Sequence, residues 1–250
     1  MGAFSVYKNL AHTTERLFMR ILSNFVLGLF VALGSLTAHA QEWKTSQPAE
    51  HHEAVVQIVA GGAMGSGSVV RFLRFQDKSE DYYVALILTA SHVVSDPNME
   101  ITIRFNSGEV TTGGEVVKKT PYGRDGFNDL CVIRALVPSS IKPIEIYDGA
   151  EIDYNTQVEL AGYGHKCGFR HWNAPYGGDI YKSDGHVVFT WGIQGDSGGP
   201  VLLDGKVIGV ICYGASLDKH IDTKRFVVGP VFSSNVGRVK NFILEYEEEE

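Results

Sequence analysis

The sequence predicts an all-β fold, and two features of its patterning carry that prediction. From Ala54 onward, short runs rich in Val, Ile, Tyr, Phe and Thr recur at nearly regular spacing, separated by Gly, Asn, Asp and Pro. This cadence is typical of β-barrels and sandwiches, because alternating strands and helices would place longer helical stretches between the strands. The segment Pro138–Pro143 interrupts the series, which predicts two tandem β-barrels joined by a crossing segment.

The individual elements follow from the apolar runs. In the first half, strands are predicted at Val55–Val59, Gly67–Phe75, Tyr82–Thr89, Ile101–Phe105, Val110–Val117 and Leu130–Leu136. In the second half, they are predicted at Gln157–Gly162, His186–Trp191, Pro200–Leu203, Lys206–Tyr213 and Phe226–Phe232, with a two-residue hairpin at Asp204-Gly205. Residues 166–184 are too irregular to assign. Apolar residues at helical intervals predict a short C-terminal helix over 234–245.

The first 40 residues have the pattern of a secretory signal peptide. Arg16 and Arg20 precede an apolar run, and Ala38 and Ala40 are the small residues expected before a cleavage site. The run is nearly long enough to span a membrane, but these small residues favour cleavage after Ala40. Met19 is an alternative start of the same signal peptide. We therefore expect a secreted or periplasmic protein without a stable membrane anchor after cleavage.

The rest of the chain is predicted to contain a flexible lead-in, a folded domain and an acidic tail. The lead-in covers residues 41–53 and includes His51 and His52, for which an unstructured terminus is the favoured interpretation. The folded domain covers 54–243, with the first barrel at 54–137 and the second at 144–233, followed by the predicted helix. Residues 246–250 form the tail.

The composition limits the classes of function. The chain has 250 residues, of which 44% are hydrophobic and 20% charged, as is ordinary for a globular protein. A net charge of -7 and the lack of a basic run argue against a nucleic-acid partner. The three cysteines, Cys131, Cys167 and Cys212, cannot form a disulfide framework. Cys167 lies between His165 and His171, but a zinc site needs three or four well-spaced ligands, so we predict no metal and no cofactor.

The most distinctive stretch is Gly195–Pro200, with the sequence GDSGGP. Its glycines permit a sharp turn and a close approach of substrate to Ser197. Such a turn can direct the amides of Gly195 and Ser197 to one point, as the oxyanion hole of an acyl-transfer enzyme requires. Because serine alone is a poor nucleophile, this interpretation predicts a histidine base and an orienting acid elsewhere in the chain.

Both residues are found upstream. His92 ends an apolar run that finishes in Thr-Ala-Ser-His, and Asp129 stands at the head of a predicted strand. Asp96 and Asp125 are rival acids, but Asp96 precedes a proline in a turn and Asp125 lies in a glycine-flanked loop. The chain order His, Asp, Ser differs from the orders of subtilisins and α/β-hydrolases.

These motifs resemble the three active-site boxes of the trypsin/chymotrypsin-like serine peptidases. The resemblance runs from about Val55 to about Ile243 and includes Gly65–Val70 and Leu160–Gly164, which are similar to two further family segments. It implies two six-stranded antiparallel β-barrels, a closing C-terminal helix and an active site in the cleft between the barrels. The absence of the disulfides usual in secreted animal relatives fits a bacterial member.

The resemblance also implies the roles of the site residues. Ser197 would attack the scissile carbonyl to form an acyl-enzyme, His92 would act as the base, and Asp129 would orient the imidazole. The substrate pocket would be formed by Trp191, Cys212, Tyr213 and Gly214. Trp191 stands where trypsins place an aspartate, so a basic substrate side chain would be unpaired, and we expect a preference for small or medium apolar residues. Cys212 replaces the usual serine, which weakens one expected hydrogen bond to the triad acid.

Asp196 needs a separate account. In zymogen-type family members, the matching aspartate pairs with an α-amino group that proteolytic activation creates. The segment Ile58–Gly61 is similar to such a terminus, but no basic residue precedes it and it belongs to a predicted strand. The partner of Asp196 is therefore left open between the Gln41 amine and a local donor.

Taken together, these observations predict a serine endopeptidase that acts on polypeptides. A catalytically silent relative that serves as a binding module and an esterase-like acyl hydrolase are the two alternatives. The sequence makes no prediction of oligomeric state.

Overall fold

The computed structural model describes residues 49–73, 81–121, 129–148, 151–164, 168–179, 185–190, 192–214, 226–227, 231–234 and 243. Within these ranges the protein is nearly all β and forms two curled antiparallel sheets, so the predicted fold class is confirmed. The predicted signal peptide, the acidic tail, Asp125, Cys167 and Trp191 lie outside the described residues. Of the predicted C-terminal helix only Ser234 and Ile243 are described: Ser234 ends a strand instead, whereas Ile243 is helical and buried. No helix in the described ranges has the length and hydropathy needed to cross a membrane.

The first sheet contains seven strands with the spatial order β5-β4-β1-β2-β3-β7-β6. Their bounds are β1 Val55–Ala60, β2 Ala63–Phe72, β3 Tyr82–Thr89, β4 Ile101–Arg104, β5 Val110–Thr112, β6 Glu115–Lys119 and β7 Cys131–Pro138. All neighbouring pairs are antiparallel. Five of the six predicted strands therefore correspond to single strands, with bounds that differ by a few residues.

The predicted count of six is wrong for this sheet because the strand expected at Val110–Val117 is broken at Gly113 and Gly114. Gly113 has a φ of +79°, a conformation that residues with side chains rarely adopt. A Cβ on Gly114 would lie 3.1 Å from Ile133 and 3.2 Å from Ile101. The glycines therefore let the chain cross between the two edges of the sheet, so that β5 pairs with β4 and β6 pairs with β7.

The second barrel is closed and has the predicted six strands, in the order β10-β15-β13-β12-β8-β9. Their bounds are β8 Gln157–Gly164, β9 Gly168–Asp179, β10 Gly185–Val188, β12 Pro200–Leu203, β13 Lys206–Gly214 and β15 Val231–Ser234. The two short strands β11 Gly192–Ile193 and β14 Phe226–Val227 form a separate ribbon. The predicted strand Phe226–Phe232 thus contributes to two sheets. The longest strand, β9, lies in the segment that the sequence left unassigned.

The core explains why the motifs meet at one end of the first sheet. Strand β3 lies between β2 and β7, and its residues Ala85–Thr89 are fully buried. The register pairs Thr89 at the end of β3 with Cys131 at the start of β7. The residues that follow β3 and those that precede β7 therefore emerge side by side, and these are the segments that contain His92 and Asp129.

The end of the predicted lead-in is folded onto the domain. Glu50–Ala54 form a short 3-10 helix, in which the His52 side chain is buried. The ring of His52 approaches the Glu159 carboxylate of β8 to 2.5 Å, and that of His51 approaches it to 3.1 Å. Burial by itself would raise the pKa of Glu159, but the hydrogen bonds and electrostatic attraction of His52 and His51 outweigh it and lower that pKa to about 2. The expectation of a flexible segment is therefore wrong for Glu50–Glu53.

Candidate active site

His92 and Asp129 lie in direct contact at the end of the first sheet. His92 belongs to a 3-10 turn, Ser91–Val93, that follows β3. Its Nδ1 lies 2.6 Å from Asp129 Oδ2, and its backbone N–H donates to Asp129 Oδ1 at 2.9 Å. The Asp129 side chain is 1% exposed and that of His92 is 33% exposed. The buried acid therefore fixes both the backbone and the ring of a partly exposed histidine.

The contact between His92 and Asp129 identifies Asp129 as the acid that pairs with His92. The Asp129 carboxylate accepts from the Nδ1 and backbone N–H of His92, whereas the exposed Asp96 carboxylate accepts only from the turn residue Asn98 among the described contacts. The residue after Asp129 is also fixed, because the N–H of Leu130 donates to the hydroxyl of Thr120 at 2.8 Å. Of the two acids that can be compared, only Asp129 is placed to orient the imidazole.

Ser197 lies in the loop between β11 and β12 of the second half, and Ser66 of β2 joins this loop to the first sheet. The N–H of Ser66 donates to the carbonyl of Ser197 at 2.7 Å. Its hydroxyl donates to the carbonyl of Gly195 at 2.7 Å and accepts from the N–H of Tyr163 at 2.7 Å. Its carbonyl accepts from the hydroxyl of Thr89 at 2.6 Å. One buried side chain and its backbone thus connect β2, β3, β8 and the nucleophile loop.

The glycines after Ser197 are required by close backbone contacts. Gly198 has a φ of +87°, and a Cβ at this position would lie 2.1 Å from the carbonyl oxygen of Ser66 and 2.2 Å from the hydroxyl of Thr89. A Cβ on Gly199 would lie 2.2 Å from the carbonyl oxygen of Ala161. No larger residue fits at either position, which is the physical reason for the GG in the motif.

The amides of this loop divide into two groups. Three of them donate to backbone carbonyls: Asp196 to Ile193 at 3.0 Å, Gly198 to Ile211 at 2.7 Å and Gly199 to Asp196 at 2.9 Å. Within the described part of the chain, no acceptor is found for the amides of Gln194, Gly195 and Ser197. The amides of Gly195 and Ser197 are the two that the sequence assigned to an oxyanion hole. Protein amides are nearly always paired, so two neighbouring free donors are a feature that a substrate oxyanion can use.

Asp196 is buried and pairs with Arg170 of β9. Arg170 Nε donates to Asp196 Oδ1 at 3.0 Å, and Arg170 Nη2 contacts Oδ2, so the guanidinium binds the carboxylate with two nitrogens. The backbone N–H of Ile193 also donates to Oδ2, at 2.7 Å. The side chains of Arg170 and Asp196 are 12% and 1% exposed, and the guanidinium lies 4.0 Å from the ring centroid of Trp172. Asp196 therefore has a local donor in the Ile193 N–H, and it also forms an internal ion pair with Arg170, 26 residues away in the chain.

Of the residues predicted to form the substrate pocket, Cys212, Tyr213 and Gly214 are described. Cys212 of β13 is buried, and its thiol donates to the carbonyl of Val210 at 3.3 Å. Tyr213 and Gly214 continue the same strand and pair with β15. Trp191 lies outside the described residues, so its place at the pocket stays a prediction. The hydroxyl of Ser197 makes no hydrogen bond to His92 in the described structure, and such bonds often tighten only when substrate is present.

The chain belongs to the trypsin-like peptidase domain family, whose sequence model matches residues 65–210. Among solved structures, an inactive form of the Rv3671c protease is similar, with 22% identity and a TM-score of 0.55 over 78% of this chain and 90% of that chain. An inactive serine-to-alanine mutant of Rv3671c from M. tuberculosis H37Rv is also similar, with 22% identity and a TM-score of 0.56 over 79% and 88% of the two chains. A comparison with curated proteins gives no match. The family membership and the fold establish a peptidase-type hydrolase.

Sequence reasoning missed two residues that shape the site, Arg170 and Ser66. Arg170 lies in the unassigned segment, and its only signal was that a buried Asp196 needs a cation. Ser66 was seen as part of a family-like strand, but its contacts with Gly195 and Tyr163 span 129 and 97 residues. No local pattern encodes contacts over such separations.

Proposed function

We propose that this protein is a serine endopeptidase in which Ser197, His92 and Asp129 form the catalytic triad. Ser197 Oγ attacks the scissile carbonyl while His92 Nε2 accepts its proton. Asp129 keeps the Nδ1 proton in place and stabilises the imidazolium. The oxyanion is bound by the amides of Gly195 and Ser197, and collapse of the tetrahedral intermediate expels the amine after His92 returns the proton. Water then hydrolyses the acyl-enzyme by the same route.

The hydrogen bonding of the 193–199 loop carries this proposal. The amides of Ile193, Asp196, Gly198 and Gly199 are paired, whereas those of Gln194, Gly195 and Ser197 have no acceptor among the described residues. The ion pair of Arg170 and Asp196 supports this arrangement without a new amino terminus, because it supplies the buried positive charge from within the folded chain. A binding module would have no need of two free amides beside a serine. We therefore expect activity without a proteolytic activation step.

The first test is the change Ser197→Ala. It should lower kcat by about 10⁶-fold, because the nucleophile is lost while binding and folding are kept. Hydrolysis of a fluorogenic peptide and labelling by a fluorophosphonate measure the effect, with the exposed Ser107→Ala as a matched control. If Ser197→Ala still hydrolyses peptide at the rate of Ser107→Ala, the assignment of the nucleophile is wrong.

A peptide library then separates the peptidase from the esterase and defines specificity. We propose cleavage after small or medium apolar residues, from the position of Trp191 in the family pattern. Poor hydrolysis after Arg and Lys is expected, because nothing would offset desolvation of their charge. Turnover of esters without turnover of any peptide would favour the acyl-hydrolase alternative.

We also propose that the protein is exported and cleaved after Ala40, on the pattern of the first 40 residues. Mass spectrometry of protein from its native host should find Gln41 at the amino terminus. An intact chain from Met1 or Met19 in the cytoplasm would contradict export, and a terminus at Ile58 would contradict the role of Arg170.

A further inference from the structure

Three histidines converge on one carboxylate, away from the triad. The Nε2 atoms of His51 and His52 lie 3.1 Å and 2.5 Å from the Glu159 carboxylate oxygens. The Nδ1 atom of His171 lies 2.9 Å from the same oxygen that His52 approaches. The ring centroids of His52 and His171 are 4.2 Å apart. These four residues are called the histidine–glutamate cluster below.

The cluster is assembled from three separate elements. His51 and His52 come from the 3-10 helix before β1, Glu159 from β8 and His171 from the neighbouring strand β9. His52 is 2% exposed, and the other three side chains are between 19% and 26% exposed. Such a partly enclosed group differs from a solvated surface ion pair, because its ligand atoms are held together by folded backbone.

We propose that the histidine–glutamate cluster binds one divalent transition-metal ion of the zinc class. Imidazole nitrogens and carboxylate oxygens are donors that Zn²⁺ prefers. The ligand atoms of His51, His52 and Glu159 all lie within 4.8 Å of one another, so these three residues would supply three of the four ligands that are usual at zinc. Zinc bonds of about 2.0–2.1 Å place tetrahedral donors about 3.3 Å apart, so the closest ligand pairs would separate and the more distant pairs would move together. His171, which contacts Glu159, lies next to this group and would complete the set only after its ring moves closer.

The proton on His52 determines how the ion enters. The N–H of Ala49 donates to His52 Nδ1 at 3.0 Å, so in the metal-free state the ring carries its proton on Nε2, toward Glu159. For Nε2 to bind zinc, that proton leaves and Nδ1 becomes protonated, as is usual for a ligating histidine. The exposed amide of Ala49 then turns away from the ring. Loss of this one hydrogen bond is a small cost compared with the binding free energy of a structural zinc ion.

Binding would connect the start of the domain to the strand that supports the nucleophile loop. Arg170 and His171 are adjacent on β9, and consecutive residues of a strand point to opposite faces. Arg170 holds Asp196 from one face, and the metal ion would hold β9 and the 3-10 helix from the other. The inference concerns stability and does not depend on the proposed proteolytic activity.

The test is a Zn²⁺ titration of the purified full-length protein in the Ser197→Ala background, which prevents self-digestion, after dialysis against a chelator. We expect one Zn²⁺ per chain with a Kd below about 1 µM, a higher thermal midpoint with Zn²⁺, and no competition by Ca²⁺. Glu159→Gln and His51→Ala should each weaken binding at least about 100-fold. His51 is partly exposed, so its variant should remain folded, as circular dichroism can verify.

His92→Ala is the matched control, because zinc could instead bind at the triad. Unchanged affinity in His92→Ala together with loss in the cluster variants supports the proposal. Loss of binding in His92→Ala with no effect of His51→Ala overturns it. Binding of less than about 0.1 Zn²⁺ per folded chain also overturns it, and the cluster is then held by hydrogen bonds alone.

Discussion

The two halves of the domain position their proposed catalytic residues by different means. In the first sheet, His92 and Asp129 meet because two paired strands, β3 and β7, end side by side. In the second barrel, the loop of Ser197 is held by a buried ion pair between Arg170 and Asp196. The first arrangement depends on apolar strand packing and register, whereas the second depends on a charge that must find its partner in the interior. One domain can therefore combine an arrangement set by strand register with an arrangement set by a buried pair of opposite charges.

Substitutions in these two arrangements should also have different effects on activity and stability. A change at the end of a strand leaves the core intact and removes chemistry, so activity falls without loss of stability. A change in the buried ion pair leaves a charge without a partner in the interior, so stability and activity fall together. Variants of each half can therefore test whether the distinction is real.

The largest effect is expected for Asp129→Asn in the first sheet. An amide offers one acceptor oxygen where His92 needs two, and its NH₂ group would face Nδ1 and favour the wrong tautomer. We expect kcat/KM to fall by about 10⁴-fold, with little change in the free energy of unfolding. Peptide hydrolysis and urea denaturation measure the two quantities.

The exposed Asp96→Asn is the matched control for this change. It should keep full activity, since Asp96 contacts only its own turn among the described residues. A larger loss in Asp96→Asn than in Asp129→Asn would assign the wrong acid to the triad.

The next effect is expected for Arg170→Met in the second barrel. Removing the guanidinium leaves the carboxylate of Asp196 buried and unpaired, which should cost about 3–5 kcal/mol of stability. Activity should also fall, because the same carboxylate accepts from Ile193 N–H within the loop. Thermal or urea unfolding and fluorophosphonate labelling measure both losses.

Arg134→Met is the control for the ion pair. Arg134 pairs with Glu115 on the surface, with side chains 39% and 62% exposed, so its loss should cost about 0–1 kcal/mol. The double change Arg170→Met with Asp196→Asn should recover part of the stability, because no charge then stays buried. Equal losses in the two single arginine variants would show that the internal pair does not hold the loop.

The smallest effect is expected where the halves meet, at Ser66. The change Ser66→Ala leaves the carbonyl of Gly195 and the N–H of Tyr163 without their partner in a buried position, at a cost of about 1–3 kcal/mol. Ser68 is the matched control two residues along β2, because its buried hydroxyl has no hydrogen-bond partner in the described structure. Ser68→Ala should be neutral or slightly stabilising. If both changes cost the same free energy of unfolding, the hydroxyl of Ser66 does not join the halves.

The sequence by itself determined the fold class, most strand positions and the candidate triad. Alternating and continuous apolar runs indicate strands, and the strand at Tyr82–Thr89 was predicted with the bounds that the structure has. The motif around Ser197 could be interpreted because its glycines occupy positions where any side chain would clash with neighbouring atoms. These properties are local in the chain, so a single sequence exposes them.

Only the tertiary structure decided which distant groups meet. The strand predicted at Val110–Val117 is divided at Gly113-Gly114, because its first part pairs with β4 at one edge of the first sheet and its second part pairs with β7 at the other. The tertiary structure gave Asp196 its partner in Arg170 and folded His52 against Glu159, contacts that join residues 26 and 107 positions apart. The sequence pattern around a charged or polar side chain does not indicate which distant residue it will contact. That partner is determined by the path that the backbone takes around the apolar core.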